Sequence, residues 1–338
     1  MSRWPGGLIR KTAITPAGPY QDGAAPGVWT IMEAAYWIKQ GLWPIAGNVV
    51  PTGLFGGGEA PSNTNVISKI TISSLGNATD FGDLISAGKS LASVGNSTTG
   101  LFAGGFTPTI TNVIQYVTFS TSGNALDFGD LTAATRSLTS SGNSVRALFA
   151  GGSEDSSATN TISYVTIASA GNSTDYGDLL GTDTIDMFDG TCSNGSRGVF
   201  AGGAVQNIIQ YVTIASTGNA TDFGDLPGTS TQLYFGAAFS SSTRGIFGGN
   251  GSIQNIINYI TIASTGNAVD FGDLSVSRYD PSGCSSTTRG VFAGGRDSDP
   301  VNIIDYITIN TLGNAADFGD LLAGTEKSTG CSNCHGGL

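Results

Sequence analysis

The sequence predicts an all-β fold, a six-bladed β-propeller, on three observations. A motif close to D-F-G-D-L occurs six times, its first aspartate at Asp80, Asp127, Asp175, Asp222, Asp270 and Asp317, spaced by 47 or 48 residues. Glycine makes up 51 of 338 residues, roughly twice the usual share, with no collagen period and only 11 prolines. Each copy also holds four strand-like runs, one of them apolar on both faces. Four-stranded units buried on both sides and repeated six times fit a ring of blades. A linear solenoid would need polar caps at its ends, and neither end repeat reads as one.

The fourth copy shows the elements in order. Strand B is Arg197–Gly203, closing on the double glycine of G-L/V-F-A-G-G. Strand C is Asn207–Ser216, rich in β-branched and aromatic residues. Ile208, Val212 and Ile214 lie on one of its faces, Ile209 and Tyr211 on the other. Strand D is Ala220–Leu226, and strand A of the next unit runs through about Gln232–Ser240. The C–D connection carries Gly-Asn in all six copies, which suits a tight turn with positive φ. The first copy has no strand A before it. The tail from Ala323 to Asn333 matches the strand-A region Ser275–Ser286, so the C-terminal strand is expected to close blade one.

Charge divides the chain in two. Residues 1–50 carry Arg3, Arg10, Lys11 and Lys39 against Asp22 and Glu33, a net +2, which leaves −13 of the total −11 on residues 51–338. An acidic body argues against a nucleic-acid partner, since phosphate binding needs clustered Lys and Arg. No apolar stretch nears the roughly 20 residues that cross a bilayer, and the first residues lack a signal-peptide pattern. The expectation is a chain neither inserted in a membrane nor exported by such a signal.

All four tryptophans, Trp4, Trp29, Trp37 and Trp43, fall in residues 1–50. Prolines 5, 16, 19 and 26 make residues 1–28 an extended arm, and Thr30-Ile-Met-Glu33 is a capping box that opens a short helix ending at Gly41. A helix this short is unstable alone. Residues 1–50 therefore either brace the ring or dock the subunit into a larger assembly through the tryptophans, while 51–338 form the propeller.

The double glycine closing strand B, the strand-C aromatic and the hydrophobic close of strand D are similar to kelch repeats. More narrowly, Tyr211-Val-Thr-Ile-Ala-Ser-Thr-Gly-Asn-Ala-Thr-Asp-Phe-Gly-Asp-Leu226 resembles a repeat of virion and tail-associated proteins of marine bacteriophages. The segment Gly27-Val-Trp-Thr…Gly41-Leu-Trp-Pro44 resembles a module recurring in phage structural proteins. The kelch tryptophan of strand D is replaced here by Phe or Tyr, and Lys69 stands where the other copies have Tyr. The resemblance implies a non-enzymatic virion protein assembled in the host cytoplasm, with other virion proteins as partners and a homo-oligomeric state.

Strand order puts the D–A and B–C loops on one face of the ring and the A–B and C–D turns on the other. The second set is nearly uniform, typically Ser-x-x-Arg-Gly and Gly-Asn, whereas the first set varies. A variable loop face on a rigid frame points to recognition. Met187, Phe188, Tyr234, Phe235, Tyr279 and Asp280 form the candidate ligand site, with aromatic platforms and polar partners suited to a host surface glycan or receptor. The alternative is a purely structural head-decoration or tail component with no ligand.

Other motifs point away from catalysis. Cys331-Ser-Asn-Cys334-His335 has the spacing of covalent haem attachment, but it aligns with the turn region Cys192–Arg197 of another copy and reads as a reduced, structural cysteine pair. His335 is the sole histidine, too close to the C-terminus to anchor a hydrolytic triad. The repeated D-F-G-D carboxylates read as blade architecture, accepting turn N–H groups or pairing with the A–B arginines Arg146, Arg197, Arg244 and Arg289. No cofactor and no metal are expected.

Overall fold

Each repeat folds into one antiparallel four-stranded sheet, and six such sheets form the blades of a β-propeller. The computed structural model describes residues 50–59, 61–155, 157–181, 190–202, 207–227, 236–249 and 254–338. The expected N-terminal arm and helix lie outside these residues. Blade four runs Thr191–Ser193, Arg197–Ala201, Ile208–Thr213 and Thr221–Asp225 as strands A to D. Blade one is completed by Thr329–Ser332, which pairs antiparallel with Thr52–Gly56, Leu54 opposite Cys331. The ring is thus closed by the C-terminal strand, without a covalent link, and the edge of the first repeat is covered.

Strand B explains why no blade stands alone. Its consecutive large residues point to opposite faces, so Leu54 and Phe55 enter two different cores. Leu54 packs with Phe81, Phe102 and Phe119 between blades one and two. Phe55 packs with Val291, Ile304 and Phe318 between blades six and one. The pattern repeats around the ring, and the strand-B phenylalanines Phe102, Phe149, Phe200, Phe247 and Phe292 are all fully buried. Each such side chain is worth about 1.5–3 kcal/mol relative to exposure, and each packs in a core shared with a neighbouring repeat.

The two sequence motifs turn out to be halves of one joint at the outer rim. In blade one the Asp83 N–H donates to Asn124 Oδ1 of blade two at 3.1 Å. The Gly123 N–H donates to the Phe81 carbonyl at 2.8 Å, and the Ala125 N–H to the Asp83 carbonyl at 2.7 Å. The same three bonds recur at every junction, including blade six to blade one through Asp320 and Asn77. Gly82 has φ +147, and a Cβ there would run into the Gly123 carbonyl. That is why the motif reads D-F-G-D. The Gly-Asn pair is therefore not a two-residue hairpin. Strands C and D are joined by a longer connection, 214–220 in blade four, and Gly-Asn docks that connection onto the preceding blade.

The A–B arginines also differ from expectation. Among the described residues they bond no carboxylate. Arg146, Arg197, Arg244 and Arg289 each lie over the strand-C tyrosine of their own blade, 4.6–4.9 Å from the ring centroid. Each Nη1 donates to a carbonyl of the next blade, for example Arg146 to Ile214 at 3.0 Å. Blade one has Thr52 at the arginine position, and Lys69 replaces the tyrosine that an arginine would cover.

A second ring of hydrogen bonds surrounds the axis. Ser140 Oγ donates to the Ser93 carbonyl at 2.7 Å, Thr191 Oγ1 to Ser140 at 2.5 Å and Ser240 Oγ to Ser193 at 2.7 Å. Ser285 Oγ donates to the Ser240 carbonyl at 2.9 Å and Ser332 Oγ to Ser285 at 2.6 Å, while Ser93 and Thr329 hydroxyls meet at 2.7 Å. The circuit touches all six junctions. Serine suits the inner strands because the axis leaves little space and buried hydroxyls need partners.

Candidate functional site

Backbone pairs fix the loop face. Lys89 pairs with Phe106, Arg136 with Ser153 and Tyr279 with Arg296, each joining a D–A loop to the B–C loop of the following blade. Glu326 pairs with Glu59 in the same way at blade one. The next residue in each D–A loop turns the chain toward the axis with positive φ, namely Ser90 (57°), Ser137 (54°), Asp280 (52°) and Lys327 (56°). Ser137 N–H donates to the Ser90 carbonyl at 2.9 Å, and Ser90 N–H to Lys327 at 3.0 Å, so these residues rim the axial mouth.

Of the six predicted ligand-site residues, Tyr279 and Asp280 are described. Met187, Phe188, Tyr234 and Phe235 lie outside the described residues, as do Trp4, Trp29, Trp37 and Trp43. Tyr279 is held by two backbone bonds to Arg296, at 3.0 and 2.8 Å. Burial and the nearby Glu326 carboxylate push its phenol up. Asp280 sits at the mouth with Ser90, Ser137 and Lys327. Burial raises its carboxyl to about 6, against the attraction of Lys327.

Sequence reading missed the charged partners of this site. Arg296 Nη1 bonds Glu326 Oε1 at 2.8 Å, and Lys89 Nζ bonds Glu59 Oε2 at 2.6 Å. Glu326 is nearly buried and its second oxygen has no hydrogen-bond partner. The signal was present: Glu326 and Lys327 precede Thr329 as Tyr279 and Asp280 precede Ser282, so the tail alignment that closes the ring also places them on the rim. Arg278, one residue before Tyr279, is completely buried. It meets Asp305 at 3.1 Å, with both side chains inaccessible. Asp305 also accepts from Ser275 Oγ at 2.6 Å, whereas Arg278 Nε and Nη1 have no partner.

The opposite end of the axis is occupied by the chain itself. His335 Nδ1 accepts from the Gly337 N–H at 3.1 Å, so Nε2 carries the proton and donates to the Gly95 carbonyl at 2.7 Å. The Gly336 N–H donates to the Ser240 carbonyl at 3.0 Å, which carries the tail across blades two to five. The remaining channel is small, about 70 Å³, and its hydroxyls already serve the inner hydrogen-bond ring. Cys192, Cys284 and Cys331 all lie within inner strands rather than turns, each one residue before the strand's last residue. All four thiols are free, and burial pushes Cys331 to about 12 and Cys334 to about 11. They behave as small core residues, not as thiolates.

The class these features define is a closed six-bladed β-propeller with a uniform turn face, a capped axis and an uneven, charged loop face. No protein-family profile matches the chain, and no curated protein matches it in sequence.

Proposed function

We propose that this chain is a non-enzymatic bacteriophage virion protein whose propeller presents its loop face to a host surface glycan or receptor, with residues 1–50 holding it to other virion proteins. The phage-like repeats and the tryptophan-rich first segment support the virion assignment. The observation that carries the recognition role is the loop face at blades five, six and one. There Tyr279 is locked beside Arg296, with the Glu326 and Asp280 carboxylates close by. An aromatic ring flanked by fixed hydrogen-bonding groups suits a sugar, whose C–H face packs on the ring while hydroxyls bond the carboxylates. Weak single-site binding would gain strength from many copies on one particle.

Binding of the full chain to host cells tests this. Tyr279→Ala, and Tyr234→Ala with Phe235→Ala, are expected to abolish saturable binding while leaving the fold intact. Unchanged binding in both would place recognition elsewhere. The second reading, a spacer without a ligand, draws on the three-bond joint repeated at all six junctions, which makes a rigid ring. It predicts that the wild-type chain binds no cells at all.

A further inference from the structure

One polar residue of strand C has a repeated task that blade one abandons. Gln115 Oε1 accepts from the Ile85 N–H of the preceding blade at 2.7 Å, and Gln210 Oε1 from the Leu180 N–H at 2.6 Å. Asp305 accepts from Ser275 N–H at 3.3 Å in the same position. At the fourth blade's exit the residue is Pro227, which has no N–H to satisfy, and its counterpart is the shorter Asn258. Blades one and three have serine there, Ser68 and Ser163, too short to reach across. That leaves the Leu322 and Thr132 N–H groups without this partner, and cavities open at these two junctions.

The cavities differ in size. The one beside Ser163 holds about 20 Å³, enough for a water, and Glu154 lines it. The one beside Ser68, at the seam where blade six meets blade one, holds about 320 Å³, the size of a small-ligand site. Phe55, Val66 and Leu321 give it an apolar wall, and Asp80 and Asp83 give it two carboxylates. No Lys or Arg lines it, and the surrounding body is acidic, which disfavours anions. A metal ion is disfavoured as well, since no group of three or more candidate ligands occurs among the described residues.

We propose that the cavity between blades six and one is a binding site for a single neutral, pyranose-sized sugar. The carboxylates accept hydrogen bonds from ring hydroxyls, the Leu322 N–H donates to a ring or hydroxyl oxygen, and the apolar wall takes the C–H face. This site opens between the blade-six D–A loop and the blade-one B–C loop, beside Thr325, Ser328, Gly57 and Thr64, but none of Tyr279, Asp280, Arg296 and Glu326 lines it, so it does not rest on their role.

The test titrates the full chain with free glucose, galactose, fucose and N-acetylglucosamine, followed by ligand-observed NMR. At least one is expected to bind saturably in the millimolar range. Ser68→Gln, the residue two other blades already carry, should fill the cavity, engage Leu322 and weaken binding by about tenfold or more. Asp80→Asn, at an exposed position, should weaken it too. The proposal is overturned if none of the four binds, if glucuronate binds in their place, or if a correctly folded Ser68→Gln or Asp80→Asn protein binds as well as wild type. Loss of cell binding with retained sugar binding, or the converse, separates this site from the loop-face site.

Discussion

Asn77 Oδ1 accepts a hydrogen bond from the Asp320 N–H at 3.1 Å, across 243 positions of sequence. The same bond elsewhere in the ring spans 41 or 42 positions. This joint and the pairing of Thr329–Ser332 with Thr52–Gly56 hold the ring shut without a covalent link. Asn77→Ala should cost only about 0.5–1.5 kcal/mol, because water can replace an exposed bond. Removing residues 325–338 should do far more. It bares the hydrogen-bonding edge of Thr52–Gly56 and uncovers Leu54 and Phe55. Loss of a single cooperative unfolding transition, with aggregation, is expected in denaturant titration. A truncated chain that still unfolds cooperatively at the wild-type midpoint would contradict the closure.

Gly82 and Gly123 face each other across the first junction, yet only one needs to be glycine. Gly82→Ala meets both a positive φ and the Gly123 carbonyl, and such strain costs about 1–3 kcal/mol. A Cβ on Gly123 meets nothing within 4 Å, so Gly123→Ala should be near neutral. Equal denaturation midpoints for the two variants would refute the joint.

The Arg278–Asp305 pair is buried on both sides. Asp305→Ala strands a buried guanidinium that already has unpartnered nitrogens, and breaking such a pair typically costs about 3–5 kcal/mol. Arg278→Leu with Asp305→Gln places at this junction the amide used at two others. Most of the loss should return in the double variant. If the double variant is as unstable as Asp305→Ala, the pair contributes something other than charge compensation.

Stability should depend on pH through two groups of opposite sign. Asp280 is raised to about 6, so between roughly pH 4 and 6 the folded chain keeps a proton that the unfolded chain has lost. Its contribution falls as pH rises through that window. Asp280→Asn should therefore gain more on wild type at pH 7 than at pH 4; an equal gain at both, from better tolerance of positive φ alone, would show no shifted carboxyl. His335 is lowered by burial, so the folded chain keeps it neutral and its contribution is lost as pH falls below about 6.5. His335→Asn should flatten that acid-side loss in thermal melts.

The blade count and the closing strand were legible because they depend on periodicity and on burial of both strand faces. The loop-to-face assignment was legible too, since it follows from strand order. The role of Gly-Asn was not, because a local turn and a contact with the neighbouring repeat leave the same residues in the sequence. The arginines show the same limit: pairing with the repeated Asp was one of two readings of those carboxylates, whereas each guanidinium stacks on tyrosine and reaches a carbonyl of the next blade. Glu326 and Lys327 were readable in the tail alignment. The seam cavity was not, because Ser68 matters only through the amide it replaces and the N–H it no longer reaches.

The most direct test of recognition by the loop face is binding of the full chain to immobilised bacterial surface polysaccharides. The account predicts saturable binding that Tyr279→Ala abolishes and Ser68→Gln spares. Absence of binding to every polysaccharide and to host cells, by a chain shown to be folded, would contradict it and leave the ring as a structural spacer.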